Sequence, residues 1–426
     1  MNRGVLGISV AALLLFGSQS HADDQDLLVL SSQLHQNNLR AMGFAKGGVD
    51  AVAPFEEKNH LKVNFNIMTS SQLQSALPRV GMLSSSKEDL IYISQSTANP
   101  RIKAFLAPLD DYLAKTPIEG FPGNWVPAAV KAATIDGKIY MLPVRCGTEI
   151  LWVNKEYMAG QGIAGIPKTP EELYDAAKKG TFTKPSGEKV YGFSSPGDKY
   201  DIPMTMAIMA RMYGGDLVDE SGQVVINKPE AVKAVELLRR MYAEGLMPPN
   251  WTTVDSDQLF RDGHLTMEFG GASYLSQLEA LGSAVAGKAE PAYVPLEKSL
   301  WTADRQYSAS GMFYWGIGIL RGSQHKDMAF SLVQHVAEPW AQSAMADNGN
   351  SPCTLDLLTK IGEKDAGVRI GTDTLKISRP PLPGSPRMSE IADKVGIAIQ
   401  NIVANGAPVQ ETLDALASDL TSILAE

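Results

Sequence analysis

Apolar residues along this chain fall into two rhythms. Leu27-Leu28-Val29-Leu30, the stretch from Leu61 to Met68, and Leu90-Ile91-Tyr92-Ile93 are short runs that suit buried strands better than helices. Each gives way to polar residues. The first enters Ser31-Ser32-Gln33-Leu34-His35-Gln36-Asn37, which reads as a polar loop. Amphipathic segments follow these loops, and strand, polar loop, helix, strand is the order of an α/β open sheet. Ligands of such sheets bind beyond the carboxyl ends of the strands. The loops there make Gln33, His35, Ser70, Ser94 and Gln95 the first candidates for ligand contacts.

Further along, helices dominate. Thr169-Pro170-Glu171-Glu172 sets a cap, a proline at the first helical position and acids in the first turn. Asn227 reads as the cap of a helix opening at Pro229, with Ala231, Val235, Leu238 and Met241 on one face and a stop at Gly245. Leu265 to Phe269 predicts a strand ending in Gly270-Gly271, which adds Gly271, Ser273 and Tyr274 to the candidates. Trp315 to Leu320 predicts another strand, and Met388 to Leu424 predicts two helices broken at Asn405-Gly406-Ala407-Pro408. No internal repeat or low-complexity linker divides the chain, so its lobes are joined by several crossings.

At 426 residues, 44% hydrophobic and 20% charged, the chain is globular and too long for one core. A net charge of −9 without any basic run excludes a nucleic-acid surface. Two cysteines exclude a disulfide scaffold or a cysteine-rich zinc module, and the six histidines are too scattered for a metal site. Residues 1–22 carry Arg3, an apolar stretch through Phe16, and Ser20-His21-Ala22 before Asp23-Asp24, the pattern of a secretory signal cleaved after Ala22. No cysteine follows that stretch to take a lipid, and no later run is apolar over the about 18 residues of a membrane span. The periplasm of a Gram-negative bacterium is the expected compartment.

Catalytic motifs fail one by one. Gly282-Ser283-Ala284-Val285-Ala286-Gly287-Lys288-Ala289 resembles a phosphate-binding loop, but Ala289 stands where a hydroxyl must hold magnesium. There is no Gly-x-Ser-x-Gly elbow, His-Glu-x-x-His or calcium loop. The acid pairs Asp110-Asp111 and Glu171-Glu172 sit in helix-start contexts, where the dipole favours them. No catalytic residue and no cofactor is expected.

The order of segments carries a resemblance. Leu106-Ala107-Pro108-Leu109-Asp110-Asp111-Tyr112-Leu113, Asp136 to Val144, Leu151-Trp152-Val153-Asn154-Lys155-Glu156, Pro167 to Leu173 and Tyr213-Gly214-Gly215-Asp216 resemble the family 1 extracellular solute-binding proteins. The helix from Pro229, Met267 to Gly271 and the C-terminal helices continue that order. These proteins serve carbohydrate ABC importers and include the maltose- and glycerol-phosphate-binding types. The resemblance implies a two-lobed periplasmic-binding-protein fold with mixed sheets, a cleft at a multi-crossing hinge, closure on the solute, no cofactor, and delivery to permease subunits by a monomer. It places the crossings near 142–148, 309–315 and 348–353. One lobe then comprises residues 23–143 with 312–347, and the other 144–311 with 348–426.

The resemblance also puts Arg145, Gly147 and Thr148 at a ligand-contacting crossing and Gly311, Tyr314 and Trp315 in a glycine-rich segment beside the solute. Tyr314 or Trp315 then stacks on a sugar face, or the aromatics there pack the core. Arg145 departs from the neutral residue usual there and reads either as a partner for a carboxylate, phosphate or sulfonate on the solute or as an inter-lobe ion pair. Maltose-type binders carry an aromatic near Met204, where only Tyr200 is at hand, and Arg387 lies near a ligand arginine of glycerol-phosphate-type binders. Cys146 and Cys353 both fall at crossings; a staple there would oppose opening, so free thiols are expected. The solute is expected to be a sugar, polyol or sugar derivative, with an anionic group among the options. A polyamine or other amino compound is the alternative within the family, and it needs several cleft carboxylates, of which the chosen loops supply only Glu149 and Glu268. A secreted polysaccharide hydrolase or lyase is the alternative outside it, requiring two carboxyl groups facing one glycosidic bond.

Overall fold

The computed structural model describes residues 26–42, 48–198, 201–273, 278 and 282–425. The strands of the main sheet are β1 (Leu27–Ser31), β2 (Val63–Ile67), β3 (Leu90–Ser94), β4 (Leu142–Asn154), β5 (Phe182–Thr183), β6 (Lys189–Ser194), β7 (Leu265–Gly271), β8 (Ala289–Ala292) and β9 (Met312–Ile319). They form a nine-stranded mixed sheet in the order β2-β1-β3-β9-β4-β7-β6-β5, with β8 also on β4. β1 pairs in parallel with β2 and β3, and β6 in parallel with β7. β9 and β4 run antiparallel to their neighbours. The helices that bear on the site are α1 (Gln33–Arg40), α2 (Ser70–Gly81), α3 (Pro170–Lys179), α4 (Ile202–Arg211), α5 (Pro229–Ala243), α6 (Ser256–Arg261), α7 (Met388–Val403) and α8 (Val409–Leu424).

The long strand β4 organises the molecule. Its residues Leu142 to Thr148 pair with β9, and Glu149 to Val153 pair with β7. The cores separate at the same place. One hydrophobic cluster takes residues between Leu27 and Cys146 and between Met312 and Leu375. Another takes residues between Leu151 and Val294 and between Leu382 and Ile423. Burying two such clusters on either side of one strand leaves the residues around Arg145 to Glu149 between them.

Local signals act as the sequence predicts over most of these elements. Thr169 caps α3, its Oγ1 accepting from Glu172 N at 3.2 Å. α5 begins at Pro229 with Lys228 at the cap position rather than Asn227, whose side chain instead donates to Asp414 at 2.7 Å. The expected polar loop after β1 is mostly helix. α1 buries His35, Asn38 and Leu39, so its inward face is largely polar and gives no hydrophobic periodicity to read. The turn around Gly282 to Lys288 leads into β8 without a helix, and Lys288 pairs with Glu156 at 3.1 Å, so nothing there cradles a phosphate.

The cysteines correct the sequence expectation. Cys146 and Cys353 are joined in a disulfide, and both are buried in the first cluster. They tie β4 to the segment after Asn348 on one side of the β4 pairing switch, so the bond reinforces a crossing without stapling the two clusters together. Backbone bonds follow the same path: Cys146 N donates to Ser351 O at 2.9 Å, and Asn350 Nδ2 donates to Val144 O at 2.8 Å.

Candidate functional site

The first wall of the site is aromatic. His35 on α1 stacks on Tyr92 of β3 with ring centroids 4.2 Å apart and an 8° tilt. Its edge meets Trp315 of β9 at 4.6 Å. Trp315 lies opposite Ser94 on one side and Arg145 on the other. Trp315 is half-buried, whereas Tyr314 is sealed in the core and its phenol is pushed up by burial. Of the two stacking candidates, Trp315 is therefore the one with ring surface to offer.

Two polar atoms in this wall have no protein partner: His35 Nε2 and Arg145 Nη1. Burial, with the Arg145 charge adding to it, lowers the His35 pKa to about 3, so the ring is neutral. The Arg145 guanidinium lies 5.9 Å from the centre of the Phe313 ring, and burial brings its pKa down to about 10. Among the described residues it makes no ion pair. Buried polar groups are ordinarily hydrogen-bonded, and each exception calls for an explanation.

The other candidates divide. Ser94 Oγ is committed to Ser96 and Thr97 at 2.7 and 3.2 Å. Gln95 exchanges bonds with Tyr314, its N donating at 3.0 Å and its Oε1 accepting at 3.4 Å. Gln33 is exposed and bonded to Gln36 and Asn37 at 3.1 and 2.8 Å within its own helix. A Cβ at Gly147 would come within 2.1 Å of the Phe313 ring, so packing explains this glycine. Thr148 Oγ1 donates to Gly311 O at 2.7 Å, and a Cβ at Gly311 would meet Met204 Sδ at 1.8 Å. Thr148 and Gly311 thus join the two crossings. Arg387 is held by Glu390 at 2.8 Å at the start of α7. Its neighbour Ser385 N donates to Ser96 O at 3.2 Å, which lays the 383–387 turn against the loop after β3. Tyr200, Tyr274 and the signal residues 1–22 lie outside the described residues, as does the side chain of Ser70, which opens α2.

A group of acids lies across the β4 pairing switch from Arg145, and most of it escaped sequence reading. It lies at the carboxyl ends of the parallel strands β6 and β7. Gly271 closes β7 opposite Glu149, its carbonyl accepting from Trp152 Nε1 at 3.1 Å, and the half-buried Ser273 follows it. Glu268 is fully buried, and neither carboxylate oxygen has a partner. Burial, then Asp257 and Glu149, hold its pKa well above the usual carboxylate range. Burial together with Asp257 and Asp201 pushes Glu149 up to about 8. Asp201, at the start of α4, is raised to about 7 by burial and by a hydrogen bond with Asp198. Asp257, in the first turn of α6, is raised to about 6, mainly by burial. In sequence, Asp201 and Asp257 look like ordinary helix-start acids, and nothing local marks them.

The architecture is that of known binding proteins. The structure superposes with TM-score 0.75 on a solute-binding protein of an ABC transporter from Thermotoga lettingae bound with α-D-tagatose, at 21% identity, covering 93% of this chain and 99% of that one. It superposes with TM-score 0.76 on one from Agrobacterium radiobacter in complex with ribitol, at 20% identity, covering 94% and 99%. These likenesses establish the two-lobed periplasmic-binding-protein fold. A binding protein of Brucella abortus is 28% identical over 164 residues, and the match spans 38% of this chain and 38% of that relative. Residues 50–368 match the family model of bacterial extracellular solute-binding proteins, and the chain belongs to that family.

Proposed function

We propose that this protein is the periplasmic receptor of an ABC importer, capturing a sugar or polyol between its lobes by hinge closure and handing it to the membrane permease. The observation that carries the reading is the pair His35 Nε2 and Arg145 Nη1, buried without partners on either side of Trp315. An aromatic face with hydrogen-bonding groups at its rim is what a ring of C–H and O–H groups requires. The tagatose and ribitol complexes of similar folds support the same class of solute. In this reading the lobes follow the two clusters, residues 27–146 with 312–375 forming one and 151–294 with 382–423 the other; the signal at 1–22 directs export, and the receptor works as a monomer. An anionic solute has less support, since Arg145 is a single cation, set over the Phe313 ring.

The receptor does no chemistry on its solute, which separates this reading from a secreted hydrolase or lyase. No helix among the described residues is long and apolar enough to cross a membrane. The test is calorimetric titration of the mature protein with ketohexoses, pentitols and disaccharides, each mixture then analysed by mass spectrometry. Saturable binding with the sugar recovered intact is expected. Turnover of any of them would sink the receptor reading.

A further inference from the structure

A cavity of about 400 Å³ opens where the chain crosses between the two clusters, and none of its lining residues belongs to the wall of His35, Trp315 and Arg145. Its size falls within the range of small-ligand sites, about 300–1,000 Å³. Ala309 and Ile377 line it, and each lies on a crossing: the first between Val294 and Met312, the second between Leu375 and Leu382. The two crossings are laced together. Ser310 N donates to Ser378 Oγ and Met312 N to Arg379 O, each at 3.0 Å. The Gly214-Gly215 turn after α4, with Leu296 and Leu300, closes the other side.

Three guanidinium groups line this cavity, those of Arg211, Arg305 and Arg379, against two carboxylates, Asp216 and Glu220. A guanidinium has five N–H donors. Those of Arg211 are all committed, to Asp216 and to the Ser310, Arg379 and Pro380 carbonyls. Arg379 commits three, Nε and Nη2 to Asp216 and Nη1 to Glu220, and keeps the rest. Arg305 differs from both. Its backbone is bonded to Thr302, whereas its half-buried guanidinium makes no hydrogen bond or ion pair among the described residues.

We propose that this cavity is an effector site for a small organic acid, its carboxylate held by Arg305 and the free donors of Arg379, and its carbon body by Leu296, Leu300 and Ile377. A guanidinium fork pairs with a carboxylate through two parallel hydrogen bonds. The lining carries one positive charge in excess beside apolar walls, which favours an organic anion over a neutral sugar or a bare inorganic ion. Hinge bending changes the backbone dihedrals of the crossings, so Ala309 and Ile377 frame a different cavity in the open and closed forms. A ligand held more tightly by one form shifts the balance towards it, and closure on the solute changes the affinity for the acid by the same factor. This linkage rests on the closing receptor read above; the site itself does not.

The test is titration calorimetry of the mature protein with succinate, citrate and inorganic phosphate at constant ionic strength. At least one of the two acids is expected to bind saturably and tenfold or more tighter than phosphate. Arg305→Ala should weaken that acid at least tenfold while circular dichroism reports an intact fold, and Arg305→Lys, which keeps the charge without the fork, should recover part of the loss. Small-angle scattering of the solute-free protein then reads the linkage: the acid should shift the radius of gyration of the native protein and leave that of Arg305→Ala unchanged. Binding without such a shift would overturn the linkage and keep the site. Phosphate bound as tightly as the acids would overturn the organic-acid assignment. No acid bound, or an acid bound equally by Arg305→Ala, would overturn the site altogether and leave the receptor reading, which sugar titration tests separately, untouched.

Discussion

Arg211 and Asp216 form a buried ion pair, Nε to Oδ2 at 2.9 Å and Nη2 to Oδ1 at 3.1 Å, with both side chains almost fully sealed. The remaining Arg211 donors reach the Ser310, Arg379 and Pro380 carbonyls at 2.5 to 3.1 Å. Asp216 also accepts from Arg379 at 2.6 Å. The cluster therefore fastens α4 to the segment entering β9 and to the chain near Arg379. Removing one partner leaves the other charged and buried. Asp216→Ala is expected to cost about 3–5 kcal/mol, read by urea denaturation, and Arg211→Ala a similar amount. A cost below about 1 kcal/mol for both would mean water reaches the cluster.

The Cys146–Cys353 disulfide spans 207 residues of sequence, so cutting it frees a large loop in the unfolded chain. A cost of about 2–5 kcal/mol is expected for the Cys146→Ser, Cys353→Ser double variant. Because both cysteines lie on the same side of the pairing switch in β4, the variant should still close on its solute. Thermal melts with and without solute check this: the ligand-induced rise should persist on a lowered baseline.

Recognition of the solute is expected to run through Trp315 and His35. Trp315→Ala removes the exposed aromatic face of the first wall, and about a tenfold or larger loss of affinity is expected, measured by calorimetry. Tyr314→Phe, by contrast, alters a phenol sealed in the core and should leave affinity within about twofold. Equal losses for both would place the stacking face elsewhere.

The sequence disclosed the lobes better than it disclosed the cleft. Strands such as β1 and β3 are contiguous apolar runs because both faces of their sheet are covered, and that pattern is visible in a single chain. α1 was obscured because its buried face carries His35 and Asn38, polar residues that leave no apolar period to read. The group of acids was hidden for another reason. Asp198, Asp201 and Asp257 are ordinary loop and helix-start residues until the chain brings Glu149 and Glu268 beside them, and no local spacing encodes that approach. Gly147 illustrates the opposite error: a small residue at a crossing suggests room for solute, but its space is filled by Phe313.

Gly384 permits the close approach of the 383–387 turn to the first lobe. A Cβ there would stand 1.9 Å from Ala98 O and 2.8 Å from Gln95 O, both backbone atoms that cannot swing aside. Gly384→Ala must therefore move one segment off the other and loosen the Ser385–Ser96 bond. If this contact belongs to the closed form, the variant binds solute at least several-fold more weakly while its apo melting temperature changes little. A large apo destabilisation with unchanged affinity would assign the contact to folding instead.

The group of acids also sets an unusual dependence on pH. The carboxylates whose pKa is depressed, such as Glu56 with Arg40 and Glu390 with Arg387, titrate below their ordinary range, so their stabilisation is complete well before neutrality. His35, lowered to about 3, binds a proton in the unfolded chain but not in the folded one, so stability rises with pH until about 6.5 and this contribution then stops. Above that point the raised acids remain. Glu149 at about 8 and Glu268, held well above its ordinary range, keep protons in the folded state that the unfolded chain has already lost. Stability must then fall as pH climbs from about 6.5 to 8, by about 1.4 kcal/mol per pH unit for each proton retained. Denaturation at pH 6.5 and 8 should give a loss on the order of 2 kcal/mol without solute. Glu268→Gln should shrink that loss and raise stability at pH 8, since it removes a carboxylate that is buried and unpartnered. A stability that is flat or rising across this interval would mean that these groups are ionised in the free protein.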